Sequence, residues 1–373
     1  MKNPFKFGTV VSDEQFCNRK NELQTINVAI ESLNSLWLYS PRRFGKTSLV
    51  LKSFEQIHDV KCIYFDLFSI RDSNDFMVKY LNLLTKELFT MKLGVEQILK
   101  KTSSLLKNVS PNITLDSFGN PTIGINFNST HEEVGLTSIL DFPEQINYNK
   151  PICIAFDEFQ EVERIDPFLK NVMRSIFQKQ NNVSYIFLGS KESLMNSIFT
   201  DLKSPFYQFG EKMTIAEIEE EELQNYIRTM FEKTRVNISD NIIRNITSLS
   251  DCHPHYTQYF ASVVWDMSLD RFADDKIFIN EVIKRIIANQ EDMFRVIWEQ
   301  LTKNQKSVLY GISKKPIDGI MSNKAIIEYG LPVKSTIESA LSSLMTKNIL
   351  LKKGSIYRFD NPIFRIWVSR IYD

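Results

Sequence analysis

Leu36-Trp37-Leu38-Tyr39-Ser40-Pro41-Arg42-Arg43-Phe44-Gly45-Lys46-Thr47-Ser48-Leu49-Val50 is the stretch on which the reading of this chain turns. Its first four residues are an unbroken apolar run, the pattern of a short strand buried on both faces. The run breaks at Ser40-Pro41, and after Gly45 a helix is expected to begin at Lys46. A strand that hands over to a helix through such a loop offers an anion exposed backbone N–H groups and the positive end of the helix dipole. Ser40, Pro41, Arg42, Arg43, Phe44, Gly45, Lys46, Thr47 and Ser48 are therefore the candidate phosphate cradle. Lys46 has the reach for the β- and γ-phosphates of a nucleoside triphosphate, and the Thr47 hydroxyl is a ligand for Mg²⁺. The full phosphate-loop pattern opens on glycine, where this chain has Ser40. Serine is small enough to let the loop turn.

Reading onward, Cys62 to Leu67 is a second strand, and Asp75 to Leu106 has helical periodicity. Residues 113–127 alternate around Gly119-Asn120 and predict an inserted β-hairpin. Ile152-Cys153-Ile154-Ala155-Phe156 is a continuous apolar run ending in Asp157-Glu158. A helix follows over about Asp166 to Gln180, and Val183 to Leu188 is another buried strand, ending at Gly189-Ser190. Apolar strands alternating with helices predict a parallel sheet with helices on both faces, a P-loop NTPase architecture. Ligands bind at the carboxyl edge of such sheets. There Asp157 would hold the Mg²⁺ shell, and Glu158 would polarise the attacking water. Ser190 has two readings: a polar contact to the γ-phosphate, or the N-cap of the next helix.

Strand signals stop after about Thr214. Glu219 to Gln290 reads as helical throughout. Asn304 to Ile312, Asn323 to Tyr329 and Val333 to Thr346 then read as three short helices, and Ile349 to Phe359 as a hairpin. Three helices and a hairpin make a winged helix. The predicted organisation is an ATPase core over 1–214, a helical lid over 215–298 and a winged-helix domain over 299–373.

Length and composition agree with this division. The 373 residues are too many for one core; 43% are apolar and 24% charged, as in soluble globular proteins. No uncharged stretch reaches the length of a membrane helix, and the start has no apolar signal region, so no membrane partner and a cytoplasmic location are expected. Cys17, Cys62, Cys153 and Cys252 form no C-x-x-C pair and read as buried free thiols; with four histidines, a metal cluster is not indicated. Formal net charge is zero but uneven. From Leu301 onward twelve Lys and Arg face five Asp and Glu, leaving the first 300 residues with thirty-three against forty. A basic tail suits either nucleic acid or docking on the acidic body. Lys352 and Lys353 in the hairpin are the candidate contacts to nucleic-acid phosphates, and Lys334 on the third winged-helix segment is the candidate for any sequence preference.

Phe16 to Leu23, Pro41 to Leu49, Phe156-Asp157-Glu158-Phe159-Gln160, Phe187 to Lys191, Ser204 to Tyr207 and Cys252-His253-Pro254-His255-Tyr256-Thr257-Gln258 carry a resemblance. In this order they resemble the archaeal-type ATPases of the signal-transducing (STAND) branch of the AAA+ superfamily. The resemblance implies ATP and ADP as ligands, Mg²⁺ as cofactor, and slow hydrolysis serving as a conformational switch. It places Phe16 to Arg19 near the adenine, with Arg19 among the nucleotide-binding residues. It makes Lys46, Glu158 and Ser190 the catalytic set, with Ser190 as first sensor, and it gives His253 a phosphate contact from the lid. Without it, His253 reads as a helix-end histidine packed in the lid. Arg174 is a candidate arginine finger, and otherwise a surface residue of its helix. Two other readings stand beside the switch: a DNA-binding regulator or defence component whose homo-oligomerisation ATP controls, and a motor-like remodeller, for which no aromatic pore-loop motif is seen.

Overall fold

The computed structural model describes residues 2–9, 16–89, 95–106, 110–115, 121–126, 132–146, 148–215, 217–268, 274–314 and 319–371. The chain forms two compact units, residues 12–216 and residues 1–11 with 217–373.

In the first unit the elements run α1 (Lys20–Glu31), β1 (Leu36–Tyr39), α2 (Lys46–Gln56), β2 (Lys61–Asp66), α3 (Ser73–Leu88), α4 (Val95–Leu105), β3 (Ser110–Leu115), β4 (Pro121–Asn126), α5 (Glu132–Gln145), β5 (Ile152–Asp157), α6 (Val162–Ile165), α7 (Leu169–Phe177), β6 (Val183–Gly189), α8 (Glu192–Phe199) and β7 (Glu211–Thr214). The main sheet has the order β2-β5-β6-β1-β7, with every pairing parallel. β5 and β6 are buried along their whole length. Successive side chains alternate between faces. Ile152, Ile154 and Phe156 join an aromatic core with Tyr185, Phe187 and Phe159 on one side. Cys153 and Ala155 face the other side, with Leu38, Ile26 of α1 and Leu49 of α2. The expected hairpin is present as β3 paired antiparallel to β4; its turn, 116–120, lies outside the described residues.

β7 has no counterpart in the sequence reading. Of Glu211-Lys212-Met213-Thr214 only Met213 is buried, because this edge strand covers the sheet on one face alone. Apolar periodicity cannot register a strand with one buried side chain. The long helical segment 75–106 divides into α3 and α4. The four cysteines form no disulfide among the described residues, and of them Cys153 alone is fully buried.

The second unit holds α9 (Glu220–Lys233), α10 (Asp240–Leu249), α11 (Pro254–Met267), α12 (Asp275–Ala288), α13 (Glu291–Glu299), α14 (Lys303–Lys314), α15 (Asn323–Glu328), α16 (Lys334–Thr346), the antiparallel hairpin of β8 (Leu350–Lys353) and β9 (Ile356–Phe359), and α17 (Pro362–Arg370). Lid and winged helix, read as separate domains, share one continuous core that includes Phe260, Phe294, Val308, Phe364 and Trp367. α17 seals them together and is absent from the sequence reading, although Asn361-Pro362, an N-cap followed by proline at the first helical position, is its signal. Residues at the chain start were assigned to the ATPase core. Instead Asn3 hydrogen-bonds Ser262 and Asp266, and the buried Phe5 packs on Phe231, so the start belongs to the helical unit.

Gly210 enters β7 with φ +89°, and a Cβ there would lie 2.8 Å from the Ser35 carbonyl oxygen, which accepts the Glu211 N–H. Gly210→Ala is expected to destabilise the chain by at least about 1–2 kcal/mol from backbone strain alone. A urea-unfolding midpoint equal to that of the parent would show that the strand is not held this way.

Candidate functional site

The loop between β1 and α2 closes as its sequence dictates. Gly45 takes φ +85° at the N-cap of α2, and nothing lies within 4 Å of where a Cβ would be. Glycine serves there for its backbone conformation and for open approach to the loop. Ser40 takes no positive φ, so the loop does not require glycine at that position, and the departure from the pattern is accounted for. Arg43 does take a left-handed φ of 63°. Lys46 Nζ donates to the Ser40 and Pro41 carbonyls at 3.0 and 3.2 Å. Burial lowers the pKa of this ammonium, opposed by the charges of Glu158 and Asp157.

Strand parity decides what meets the start of α2. Asp157 follows Cys153 and Ala155 in the alternation of β5, so its carboxylate emerges on the α2 face. Thr47 Oγ1 donates to Asp157 Oδ2 at 2.6 Å. On β2, Tyr64 stands in register with Ala155, and its hydroxyl donates to the same oxygen at 2.6 Å. Burial, then the Asp157 charge, push the Tyr64 pKa far up, so the phenol remains a donor across the working pH range. Tyr64 was not singled out from sequence, because finding it needs the β2–β5 register. The other carboxylate oxygen accepts the Glu158 N–H at 2.8 Å.

Glu158 itself has φ 50°, a left-handed conformation that costs an ordinary side chain about 1–2 kcal/mol. Its neighbours Phe156 and Phe159 are both fully buried in the aromatic core, where each fully buried ring is worth about 1.5–3 kcal/mol. The two anchors outweigh the strain and turn the Glu158 side chain toward β6. Ser190 Oγ donates to Glu158 Oε2 at 2.7 Å. The cap of α8 is Lys191, without a side-chain cap bond, so Ser190 is not the N-cap of that helix. Gln160, on a 3₁₀ turn over Phe159–Glu161, donates to Glu158 Oε2 and accepts from Ser190 N–H. No role of its own can be read for Gln160 from the sequence, because its contact with Ser190 depends on the turn that brings it back against the end of β6.

Other candidates fall elsewhere. Arg19 is buried at the N-cap of α1, left-handed like Asn18, and its Nη1 pairs with Glu22 at 2.8 Å. Asparagine tolerates that conformation better than most side chains, which suits Asn18 to its place ahead of α1. His253 lies in the other compact unit. It is the N-cap of α11, its Nδ1 accepts the His255 N–H at 3.2 Å, and its ring meets Tyr256 edge-on. Arg174 is engaged within its own unit, donating to the Pro205 carbonyl at 3.0 Å and lying 4.6 Å from the Phe209 ring centre. Lys334 is exposed at the start of α16. Lys352 lies over the Tyr357 ring at 5.4 Å. Lys353 pairs with Ile356 at the end of the hairpin ladder, its side chain outside the described residues. Among the described residues, Arg358 pairs with Glu217 at 3.3 Å and Arg365 with Asp251 at 3.2 Å, joining the winged helix to residues that precede it in the same unit. No helix of the described residues is long and apolar enough to cross a membrane.

Comparison with known proteins bears on this site. The family described as an ATPase domain predominantly from Archaea matches residues 16–260, and a probable winged helix domain matches 292–370. No curated protein matches the sequence. A solved Walker-type ATPase of Pyrococcus abyssi is similar over 95% of this chain and 96% of its own, at 15% identity and a TM-score of 0.61. The Aeropyrum pernix ORC2 protein, solved in ADPNP–ADP complexes, is similar over 98% and 97%, at 14% identity and a TM-score of 0.55. At such identities the likeness is one of fold. The match over residues 16–260 takes in the β1–α2 loop, Asp157-Glu158 and Ser190, and the chain belongs to the family of ATPase domains found predominantly in Archaea, followed here by a winged helix.

Proposed function

We propose that this protein binds ATP at the β1–α2 loop, hydrolyses it slowly with Mg²⁺, and uses the nucleotide state as a conformational switch of the STAND kind. The observation that carries the reading is the meeting of Thr47 with Asp157 at 2.6 Å, with Glu158 and Ser190 joined beside them at 2.7 Å. One hydroxyl and one carboxylate at the head of the loop helix fit Mg²⁺, which takes few protein oxygens and completes its shell with phosphate and water. No cluster of three or more His, Cys, Asp or Glu able to hold a metal by itself occurs among the described residues. Thr47 and Asp157 would hold the ion, which when bound neutralises phosphate charge. Lys46 would exchange its two loop carbonyls for phosphate oxygens, and the Ser40–Ser48 backbone would line the phosphates. Glu158 would accept the proton of the attacking water, with Ser190 beside the γ-phosphate. Arg19 would lie near the base. His253 would carry the nucleotide state into the helical unit.

The winged helix supports two roles. Lys352 and Lys353 suit the backbone of a nucleic acid and Lys334 its sequence preference, in a DNA-binding regulator or defence component whose homo-oligomerisation ATP controls. The ion pairs Arg358–Glu217 and Arg365–Asp251 favour a second role, in which the winged helix is held on the lid and regulates the ATPase.

Lys46→Ala is expected to abolish ATP binding in a folded protein. Unchanged affinity in a titration with labelled nucleotide would remove the loop from the site. Glu158→Gln should keep ATP binding and lose hydrolysis by roughly 10²-fold or more, the scale of a lost general base. Asp157→Asn should instead weaken the Mg²⁺-dependent part of binding. Parental turnover in both variants would exclude the acidic pair from catalysis. If the basic hairpin touches DNA, replacing Lys352 and Lys353 by alanine should flatten the salt dependence of duplex binding by about two phosphate equivalents, near 0.9 each. Absence of duplex binding by the parent at low salt, in every nucleotide state, leaves the regulatory role alone.

A further inference from the structure

Gln160 is buried, with 6% of its surface exposed, and both ends of its amide are used. Its Oε1 accepts the Ser190 backbone N–H at 3.2 Å. A backbone N–H only donates, so this bond fixes which end of the amide is the oxygen. The NH₂ group is thereby turned to Glu158 Oε2, with Ser190 Oγ 3.5 Å away. Gly189 leaves the space beside it open, since a Cβ there would collide with Met195 Sδ and lie 2.8 Å from Gln160 Oε1. Glu158 Oε2 thus receives two donors, Gln160 and Ser190. Among the described residues no hydrogen bond falls on Oε1 of Glu158.

We propose that Gln160 is a positioning residue that pins one oxygen of the Glu158 carboxylate and leaves the other, Oε1, to act as the base toward water. The proposal rests on the reading of Glu158 as general base. Proton bookkeeping at Ser190 makes the role specific. A serine hydroxyl has one proton to give. If Ser190 turns that proton to a γ-phosphate oxygen, Glu158 loses one of its two donors when ATP arrives. Gln160 is then the tether that remains, because its oxygen is anchored to the Ser190 main chain, which the hydroxyl's rotation leaves in place. The glutamate is held at the turn by Phe156 and Phe159 and at its carboxylate by Gln160, so its orientation survives the change of partner at Ser190.

The test compares Gln160→Glu, Gln160→Met and the exchanged pair Gln160→Glu with Glu158→Gln, all in the full chain. Both single variants should lower kcat by at least about tenfold while KM for ATP stays within about twofold, the mark of an interaction used after binding. Gln160→Glu sets two carboxylates against each other, and the ionised pair is disfavoured. Its thermal unfolding midpoint should therefore fall below the parent's at about pH 8 and recover at about pH 5, where one carboxyl is protonated and can donate. Gln160→Met should show no such recovery. The exchanged pair should regain the midpoint at about pH 8 while remaining inactive, because an amide again faces a carboxylate. Parental kcat in both single variants overturns the proposal. So does a Gln160→Glu midpoint with the parent's pH dependence, or an exchanged pair that regains nothing. If the parent binds ATP without hydrolysing it, the general-base reading fails, and the two stability measurements still decide whether Gln160 holds Glu158.

Discussion

β5 is buried on both faces, and that constraint orders the rest of the candidate site. A strand with side chains packed alternately into two cores has one register available to it, since a slip of one residue would drive Phe156 into the space occupied by Ala155. Ile152, Ile154 and Phe156 are committed to the aromatic side, Cys153 and Ala155 to the side of α1 and α2. Asp157 must then come out over the start of α2. Its bonds from Thr47 and Tyr64 follow from that placement. Two separate stretches of sequence converge on one carboxylate oxygen of a third because a single strand cannot turn over.

The residue after Asp157 breaks the strand in a conformation that side chains avoid. Glu158 is held left-handed between Phe156 and Phe159, and the strain is smaller than the burial energy of its two neighbours. Without the turn, Glu158 would continue the alternation of β5 into the aromatic side. With it, the carboxylate lies beside Ser190 at the end of β6. Gly189 and Gln160 complete the arrangement, because the side chain that Gly189 lacks leaves space that Met195 and the Gln160 amide occupy. Strain of this kind gathers where geometry must be fixed before chemistry begins.

The helical unit is organised differently. Its helices α9 to α12 and its winged helix share a continuous apolar core, sealed by α17 and by the N-terminal residues around Phe5. The excess positive charge of the tail is partly spent inside this unit, where Arg358 and Arg365 meet Glu217 and Asp251. Burial raises the pKa of the Asp251 carboxyl, and the two arginines oppose that shift, so the arginines support the charged form in a desolvated place. A basic composition therefore does not by itself identify a nucleic-acid surface here.

Those parts of the protein that depend on neighbours along the chain can be read from the amino-acid order. The central strands were legible because burial on both faces demands unbroken apolar runs. The β1–α2 loop was legible because Gly45, Lys46 and Thr47 follow such a run, and Asp157-Glu158 because they end one. Tertiary structure alone decided what depends on neighbours across the fold. β7 is a strand only because the edge of β1 offers it partners, so Glu-Lys-Met-Thr carries no periodic signal of its own. Tyr64 is part of the site because β2 pairs with β5 in one register, and Gln160 because a turn brings it back against the end of β6. The N-terminal residues joined the helical unit because Phe5 found its apolar pocket there and Asn3 its acceptors. Hydrogen bonds and packing between distant segments are set by register and handedness of the assembled sheet, and no local pattern encodes them.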